Sequence, residues 1–284
     1  MHILNGTAVA CLIVEEVAQK IRARKRERLP GLAVILIGDH PASKTYVNAK
    51  KKRCKEAGIL SFEYAYPSSI AQTELIETIE KLNHDPQIDG ILLQLPLPPH
   101  IDKQKVLFAI DPNKDIDGFH PLNMGKLLLG DPTGFIPCTP LGIAELVLRN
   151  DLSFEGKEVV IVGRSSIVGR PLAELLSQNR KGFNATVTLA HSKSPHLHTL
   201  CKRADILVAA IGQPHFIKKD MVKKGVIAID VGINKMADGT LRGDIDYETV
   251  KELSSYITPV PGGIGPMTIA MLLENTWRSF ERVI

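Results

Sequence analysis

The chain has few cysteines and no long apolar run, and each shortage argues against a class of protein. Its four cysteines are scattered and form no CxxC pair, so a structural zinc site and a disulfide framework are not expected. No apolar segment approaches the length that crosses a bilayer. Cys54 and Cys201 fall in helical patterns and are expected to be small, buried or half-buried side chains. The sequence therefore predicts neither a metal site nor a membrane span.

The start of the chain also lacks the features of a signal peptide. Residues 1–29 read as a short strand followed by an amphipathic helix, without a basic start, a continuous apolar stretch or a small-residue cleavage site. We therefore expect a cytoplasmic protein. With 284 residues, 44% hydrophobic and 23% charged, the chain is long enough for two ordinary domains of a soluble globular protein.

Two basic runs supply much of the formal net charge of +4, RARKRER at residues 22–28 and KKKRCK at residues 50–55. Basic runs can indicate nucleic-acid binding. These two lie in helical segments, alternate with apolar residues and carry no interleaved aromatic side chains. A solvated helix face, or attraction for a small anionic substrate, is the favoured interpretation, and no nucleic-acid partner is expected.

Strand-like and helix-like segments alternate along the chain, with no internal repeat or low-complexity tract. Val/Ile-rich strands alternating with helices predict an α/β fold, with parallel sheets covered on both faces. A Gly/Pro-rich break near residues 130–155 is followed by an alternation of strands and helices that is typical of a compact nucleotide-binding domain. The stretch 258–267, which is also rich in Gly and Pro, is predicted to form a loop. The predicted strands are 32–38, 62–66, 89–97, 157–163, 185–191, 206–212 and 225–232, and the predicted helices include 73–85, 143–150, 170–179 and 267–283.

Tyr46 and Lys50 stand four residues apart in the run SKTYVNAKKKRCKEAGI, which follows the strand-like segment 32–38. On a helix these positions share one face, so a phenol and an ammonium would project together at the mouth of an α/β sheet, where ligands usually bind. They are therefore a candidate acid–base pair. The alternative is that the lysines of this run form only a solvated helix face.

A second candidate site is the segment VVIVGRSSIVGRP at residues 159–171, which reads as a strand, a tight turn and a helix start. Gly163 permits the turn and exposes backbone N–H groups at a helix N-terminus, which suits a pyrophosphate. The spacing departs from G-x-G-x-x-G, because Ser165 replaces the second glycine and Gly169 stands one place late. An ordinary strand-to-helix turn is the alternative interpretation.

The residues after the next strand bear on the choice of nicotinamide cofactor. NAD-binding folds carry an acid there for the ribose 2′-hydroxyl. Here the segment ends in His191, Ser192 and Lys193, with no carboxylate, and Arg164 lies in the first loop. Positive and hydroxyl donors without an acid suit a 2′-phosphate, so NADP is predicted rather than NAD.

Eight motifs follow one another in order along the chain: SKTYVNAKKKRCKEAGI, GILLQLPLP, PNKDIDGFHPLNMGKL, PCTPLGI, GRSSIVGRP, HSKS, VGIN and PVPGGIGPMT. Together they make the chain resemble bacterial bifunctional methylenetetrahydrofolate dehydrogenase/cyclohydrolase. The glycine spacing of residues 163–169 is the form that this family uses. The departures are Ile264, where valine is common, Lys235, where arginine often follows VGIN, and a few extra residues around 179–184.

The resemblance implies oxidation of 5,10-methylenetetrahydrofolate with NADP, followed by hydrolysis of the methenyl product to 10-formyltetrahydrofolate. It implies that Lys50 moves protons in the hydrolysis, that Gln94 hydrogen-bonds Lys50, and that Tyr46 contacts the substrate. Asp117 would hold the pterin ring, because a carboxylate can accept two N–H bonds from its edge, whereas Asp115 is assigned to loop structure. A cationic substrate beside an ammonium should also lower the pKa of Lys50.

The resemblance also implies a domain plan of two α/β domains flanking a cleft. Residues 1–140, joined by the last helix at 267–284, would bind folate, and residues 141–266 would form a Rossmann-like NADP-binding domain. Two copies would pair as a homodimer through the nucleotide-binding domains. The implied cofactor contacts are Gly163, Arg164 and Ser165 at the phosphates and ribose, Ser192 at the 2′-phosphate and Ile233 at the nicotinamide end, and the implied further folate contacts are Gly262 and Gly263.

Two other interpretations stay open. One is an oxidoreductase that lacks cyclohydrolase activity or uses NAD. The other is a nucleotide-sensing binding protein without catalysis. The joint presence of Tyr46, Lys50, Gln94 and Asp117 disfavours both.

Overall fold

The computed structural model describes residues 1–24, 28–39 and 41–282, with the backbone alone described for residues 41–46. The strands are β1 (His2–Ile3), β2 (Gly31–Ile37), β3 (Leu60–Tyr66), β4 (Gly90–Leu93), β5 (Glu158–Val162), β6 (Thr186–Ala190), β7 (Ile206–Ala209), β8 (Val226–Asp230), β9 (Asn234–Lys235), β10 (Leu241–Arg242) and β11 (Ser254–Ile257). The helices are α1 (Gly6–Ala23), α2 (Pro41–Ala57), α3 (Gln72–His84), α4 (Lys103–Phe108), α5 (Pro121–Leu129), α6 (Cys138–Leu148), α7 (Gly169–Ser177), α8 (Leu197–Arg203), α9 (Tyr247–Val250) and α10 (Ile264–Arg282), with a 3-10 turn at Lys219–Met221. In this described part of the chain, no helix is both long and apolar enough to cross a membrane.

The chain divides into two compact units, each with its own parallel sheet. The three-stranded unit comprises Cys11–Lys126, Pro132–Cys138 and Ile269–Ile284, and its sheet has the order β3-β2-β4. The central strand β2 is buried along its whole length, as its apolar sequence GLAVILI requires. Helix α3 buries Leu75, Ile79 and Leu82 in the core under this sheet, because helical spacing places the three side chains on one face.

The six-stranded unit comprises Met1–Ala10, Leu127–Asp131 and Thr139–Thr268. Its sheet has the order β1-β11-β8-β7-β5-β6, and each strand pairing in it is parallel. Strand β5 pairs with β6 on one side and β7 on the other, so the direction of winding reverses at β5, as in dinucleotide-binding folds. The predicted α/β class, with a Rossmann-like parallel sheet, is confirmed.

Three boundaries differ from those predicted. Strand β4 ends at Leu93 rather than at residue 97, because the prolines that follow cannot donate to a sheet ladder. Helix α10 begins inside the predicted loop, since Pro266 falls in its first turn, where a backbone N–H is not needed. Residues 1–10 fall in the six-stranded unit, because β1 pairs with β11, whereas the predicted domain boundary groups them with the folate-binding domain.

Candidate active site and cofactor site

Helix α2 carries Lys50 with its amine turned into the protein, although Lys51 and Lys52 beside it are exposed. Lys50 is 7% exposed, and its Nζ donates a 3.0 Å hydrogen bond to Gln94 Oε1. Gln94 follows β4, and its own amide nitrogen donates to the Leu95 carbonyl at 2.8 Å, which fixes the direction in which Oε1 points. The side chain of Tyr46, one turn earlier on α2, lies outside the described residues, so its role stays a prediction.

Lys50 and Asp117 act on each other electrostatically within the three-stranded unit. Burial lowers the pKa of Lys50, and the negative charge of Asp117 opposes that shift. Burial also raises the pKa of the Asp117 carboxyl, which the positive charge of Lys50 lowers. The sequence-based expectation attributes a lowered pKa of Lys50 to the charge of the substrate. In the structure, burial of the amine lowers this pKa without a substrate. Burial therefore shifts the protonation equilibrium of Lys50 towards the neutral amine before any ligand binds.

The loop that presents Asp117 is shaped by its neighbour Asp115. The buried Asp115 carboxylate accepts hydrogen bonds from the backbone N–H groups of Phe119 at 3.2 Å and His120 at 2.7 Å. It also accepts from Asn123 Nδ2 at 2.9 Å. Burial raises the pKa of Asp115 to about 7, while these three donors lower it. The Asp115 carboxylate thus stabilises the loop through these hydrogen bonds. Asp117 in the same loop is the candidate carboxylate for ligand binding.

Sequence reasoning misses two buried residues that hold the backbone just before Asp117. The amide nitrogen of Asn275 donates to the carbonyls of Ile116 at 2.8 Å and Ile136 at 3.2 Å. The thiol of Cys138 donates to the same Ile116 carbonyl at 3.2 Å. The available signal was a polar residue on the apolar face of α10, since Asn275 is fully buried and such residues usually have a polar partner.

Several basic side chains of the two basic runs make ion pairs with acids. Arg28 binds the buried carboxylate of Asp89 through two hydrogen bonds of 2.7 and 2.8 Å. Lys51 pairs with Glu63 at 3.5 Å. Residues 25–27 of the first run lie outside the described residues. The Lys51 pair fits the interpretation of a solvated helix face, whereas Arg28 lies beyond the end of α1 and binds a buried acid.

The turn after β5 explains the unusual glycine spacing. Gly163 has a φ of +128°, and a Cβ there would lie 2.1 Å from the Ala210 carbonyl oxygen, so only glycine fits. A Cβ at Gly169 would lie 1.9 Å from the Gly163 carbonyl oxygen, because the start of α7 returns against the end of β5. Ser165 Oγ accepts from the Val168 N–H at 3.2 Å and so closes the turn that would receive phosphate.

The other predicted cofactor residues lie in loops at the same edge of the six-stranded sheet. Arg164 and Ser165 follow β5, and the exposed Ser192 and Lys193 follow β6. Because β5 and β6 are adjacent and parallel, their carboxyl ends meet at one edge. Ile233, 44% exposed, follows β8 at that edge. After β6, histidine, serine and lysine stand where an NAD site carries an acid. The exposed positive and hydroxyl donors fit the 2′-phosphate of NADP.

Gly262 and Gly263 lie in the six-stranded unit, in the loop before α10. The N–H of Thr7 donates to the Gly262 carbonyl at 3.0 Å, so this loop packs on the start of α1. The three described catalytic candidates belong to the other unit. Contact of the two glycines with folate therefore stays a prediction.

Comparison with known proteins identifies two matching family models. Residues 4–117 match the tetrahydrofolate dehydrogenase/cyclohydrolase catalytic domain, and residues 137–284 match the tetrahydrofolate dehydrogenase/cyclohydrolase NAD(P)-binding domain. Among curated relatives, the bifunctional protein FolD of Acetivibrio thermocellus is 53% identical over 275 residues, which cover 96% of this chain and 95% of that protein.

Solved structures give the same result. The bifunctional FolD methylenetetrahydrofolate dehydrogenase/cyclohydrolase of Campylobacter jejuni has a TM-score of 0.96 and 48% identity, with 100% of each chain covered. The Trypanosoma brucei FolD, solved in complex with NADP cofactor and inhibitor, has a TM-score of 0.92 and 36% identity, with 98% of this chain and 96% of that chain covered. The resemblance predicted from the motifs is confirmed, and the chain belongs to the tetrahydrofolate dehydrogenase/cyclohydrolase family.

Proposed function

We propose that this chain oxidises 5,10-methylenetetrahydrofolate to 5,10-methenyltetrahydrofolate with NADP and then hydrolyses that product to 10-formyltetrahydrofolate. Family membership supports both reactions. The observation that carries the proposal is the partly buried hydrogen bond between the buried Lys50 and Gln94, with the charge of Asp117 acting on the same lysine. A solvated helix face does not require such a pair.

In the hydrolysis, water adds to a cationic carbon and a proton must leave that water. The neutral amine of Lys50 accepts this proton, and burial, which lowers the pKa of Lys50, favours that neutral form. Gln94 Oε1, which lies 3.0 Å from the amine, can accept a hydrogen bond from it in both protonation states. The carboxylate of Asp117 then stabilises the ammonium, which can return the proton to the ring nitrogen that leaves the carbon.

In the oxidation, the chain supplies binding and orientation rather than acid–base chemistry. When bound, NADP supplies the acceptor for the hydride of the substrate. Asp117 holds the pterin edge, and Gly262 and Gly263 approach the folate. Arg164 and Ser192 hold the 2′-phosphate, while the remaining cofactor contacts come from Gly163, Ser165 and the backbone of Ile233.

Two features support a homodimeric, cytoplasmic enzyme. Leu128 and Leu129 at the end of α5 are 65% and 82% exposed and belong to the six-stranded unit. A second copy that covered these two leucines would remove their apolar surface from water. The four cysteines are free thiols, as expected in a reducing compartment.

Two assays of the purified protein test the catalytic proposal. We expect NADPH to form with 5,10-methylenetetrahydrofolate and NADP, and 5,10-methenyltetrahydrofolate to be consumed without any cofactor. Reduction of NAD in preference to NADP would contradict the cofactor assignment, and oxidation without hydrolysis would leave a dehydrogenase alone. Folded protein that binds NADP but catalyses neither reaction would favour the nucleotide-sensing alternative.

A further inference from the structure

Asp244 is fully buried and accepts four hydrogen bonds, although it is none of the proposed catalytic or cofactor contacts. Its Oδ2 accepts from the backbone N–H groups of Ile211 at 2.6 Å and Gly212 at 2.9 Å. Its Oδ1 accepts from the Gln213 N–H and from Asn234 Nδ2, each at 2.9 Å. A carboxylate with two donors on each oxygen is a strong and directional anchor. It orients three consecutive backbone N–H groups towards one point.

The groups that Asp244 anchors come from two connecting segments at the carboxyl edge of the six-stranded sheet. Residues 211–213 follow β7, and Asn234 is the first residue of the two-residue strand β9, which comes shortly after β8. Strands β7 and β8 are adjacent and parallel, and β7 also neighbours β5, which ends in the Gly163 turn. Dinucleotides bind at this edge of Rossmann-like sheets. One buried carboxylate therefore joins two connecting segments beside the expected cofactor position.

A second buried acid, Asp230, holds the segment that carries Asp244. Its Oδ1 accepts from the backbone N–H groups of Gly232 and Asp244, each at 2.9 Å, and its Oδ2 accepts from the Ile245 N–H at 2.8 Å. A Cβ at Gly232 would lie 2.2 Å from Asp244 Oδ1, so the carboxylate reaches its donors only past a glycine. That glycine directly precedes Ile233. The two acids thus fix both sides of the proposed cofactor contact.

We propose that Asp244 is a positioning residue for NADP, because it joins the backbone of residues 211–213 to the side chain of Asn234, the residue next to Ile233. The proposal rests on the function proposed above, in which Ile233 meets the nicotinamide end of the cofactor. Asp244 is fully buried, so it acts through these connecting segments rather than by touching the ligand. Asparagine at this position would turn an amide donor towards backbone N–H groups and release at least one segment.

Titration of the full-length protein with NADP, without folate, tests this proposal. Asp244→Asn should raise the NADP dissociation constant roughly tenfold, the lower end of what losing a hydrogen bond to a charged group costs. Asp246→Asn is the matched control, since Asp246 lies two residues away, is partly exposed and contacts His215 at 3.7 Å. It should leave NADP affinity unchanged. Hydrolysis of 5,10-methenyltetrahydrofolate without NADP should be unchanged in both variants.

Unchanged NADP affinity in Asp244→Asn overturns the proposal, and so does an equal loss of NADP affinity and NADP-free hydrolysis, which would mark a residue that serves only the fold. If Asp244→Asn does not fold, Asn234→Ala decides, because it removes one donor and should give a smaller rise in the dissociation constant. No rise overturns the proposal. Wild-type protein that fails to bind NADP refutes the proposed function together with this inference.

Discussion

The Nζ of Lys50 lies 3.0 Å from Oε1 of Gln94, an acceptor that carries no ionisable proton. An amide oxygen accepts from an ammonium and from a neutral amine, so the contact holds the lysine in either protonation state. A carboxylate in this place would stabilise the ammonium and raise the pKa of Lys50. With Gln94 as partner, burial lowers that pKa, and negative charge, chiefly that of Asp117, opposes the shift.

Lys50→Met should therefore damage hydrolysis more than oxidation. General acid–base catalysis contributes about 10²- to 10⁴-fold, and hydrolysis should fall by that range. Oxidation should suffer less, because hydride transfer needs no proton carrier. Lys51→Met is the control, since Lys51 is exposed and pairs with Glu63, and it should change neither rate. Steady-state assays of both reactions measure this separation, and equal losses would mean that Lys50 only shapes the site.

The pKa of Lys50 also fixes the sign of the pH dependence of hydrolysis. Because the neutral amine is the base, kcat should rise with pH through the lowered pKa and then level off. Asp117→Asn removes a negative charge that raises this pKa, so the midpoint of the profile should move to lower pH. The measurement is kcat at saturating substrate over a pH series. A midpoint that stays in place, or moves upwards, would contradict the assignment of Lys50 as the base.

The fold could be predicted because its signals are local. The strand β2 reads as apolar in seven successive residues, and its burial follows from that composition. The pairing of β1 with β11 could not be predicted, because it joins His2 to Tyr256 and two residues carry no pattern of their own. Parallel pairing over such a separation is decided by the packing of the whole unit.

Site residues could be predicted where the type of side chain indicates the proposed role. They could not be predicted where the role depends on the three-dimensional position of backbone groups. Lys50, Gln94 and Asp117 could be named from motifs, because the roles proposed for them depend on the type of side chain. Asn275 and Asp244 could not, because they act on backbone groups whose directions no residue pattern specifies. The Ile116 carbonyl that Asn275 binds lies 159 residues away in the chain.

Asp117→Ala should weaken folate binding and leave NADP affinity nearly unchanged, because Asp117 and the cofactor loops belong to different units. A hydrogen bond to a charged group is worth roughly 1.5–3 kcal/mol. The folate dissociation constant should therefore rise about ten- to a hundredfold. Binding titrations with each ligand measure both constants.

Asp102→Ala is the matched control for that measurement. Asp102 lies in the same unit and caps α4 by accepting from the N–H groups of Gln104 and Lys105. Its loss should lower the free energy of unfolding by about 1 kcal/mol without changing folate affinity. A parallel fall of NADP affinity in Asp117→Ala would show that Asp117 does not bind the pterin.

Arg164→Ala should change the choice of cofactor. The guanidinium is a planar fork that can bind the 2′-phosphate through two hydrogen bonds, whereas NAD has no phosphate there. Preference for NADP should fall by about ten- to a hundredfold, the range expected for one hydrogen bond to a charged group. The effect should shrink at high salt, because Arg164 is exposed and its charge is screened.

The value of kcat/KM with each cofactor measures this change in wild type, Arg164→Ala and the control Arg180→Ala. Arg180 is also exposed, but it stacks on Phe183 at 4.2 Å before β6 begins, so its loss should leave the preference unchanged. A wild type that prefers NAD would refute the inference from the missing acid after β6. If both cofactors weaken equally in Arg164→Ala, then Arg164 contacts a part that they share, and the 2′-phosphate must be held by Ser192 and Lys193.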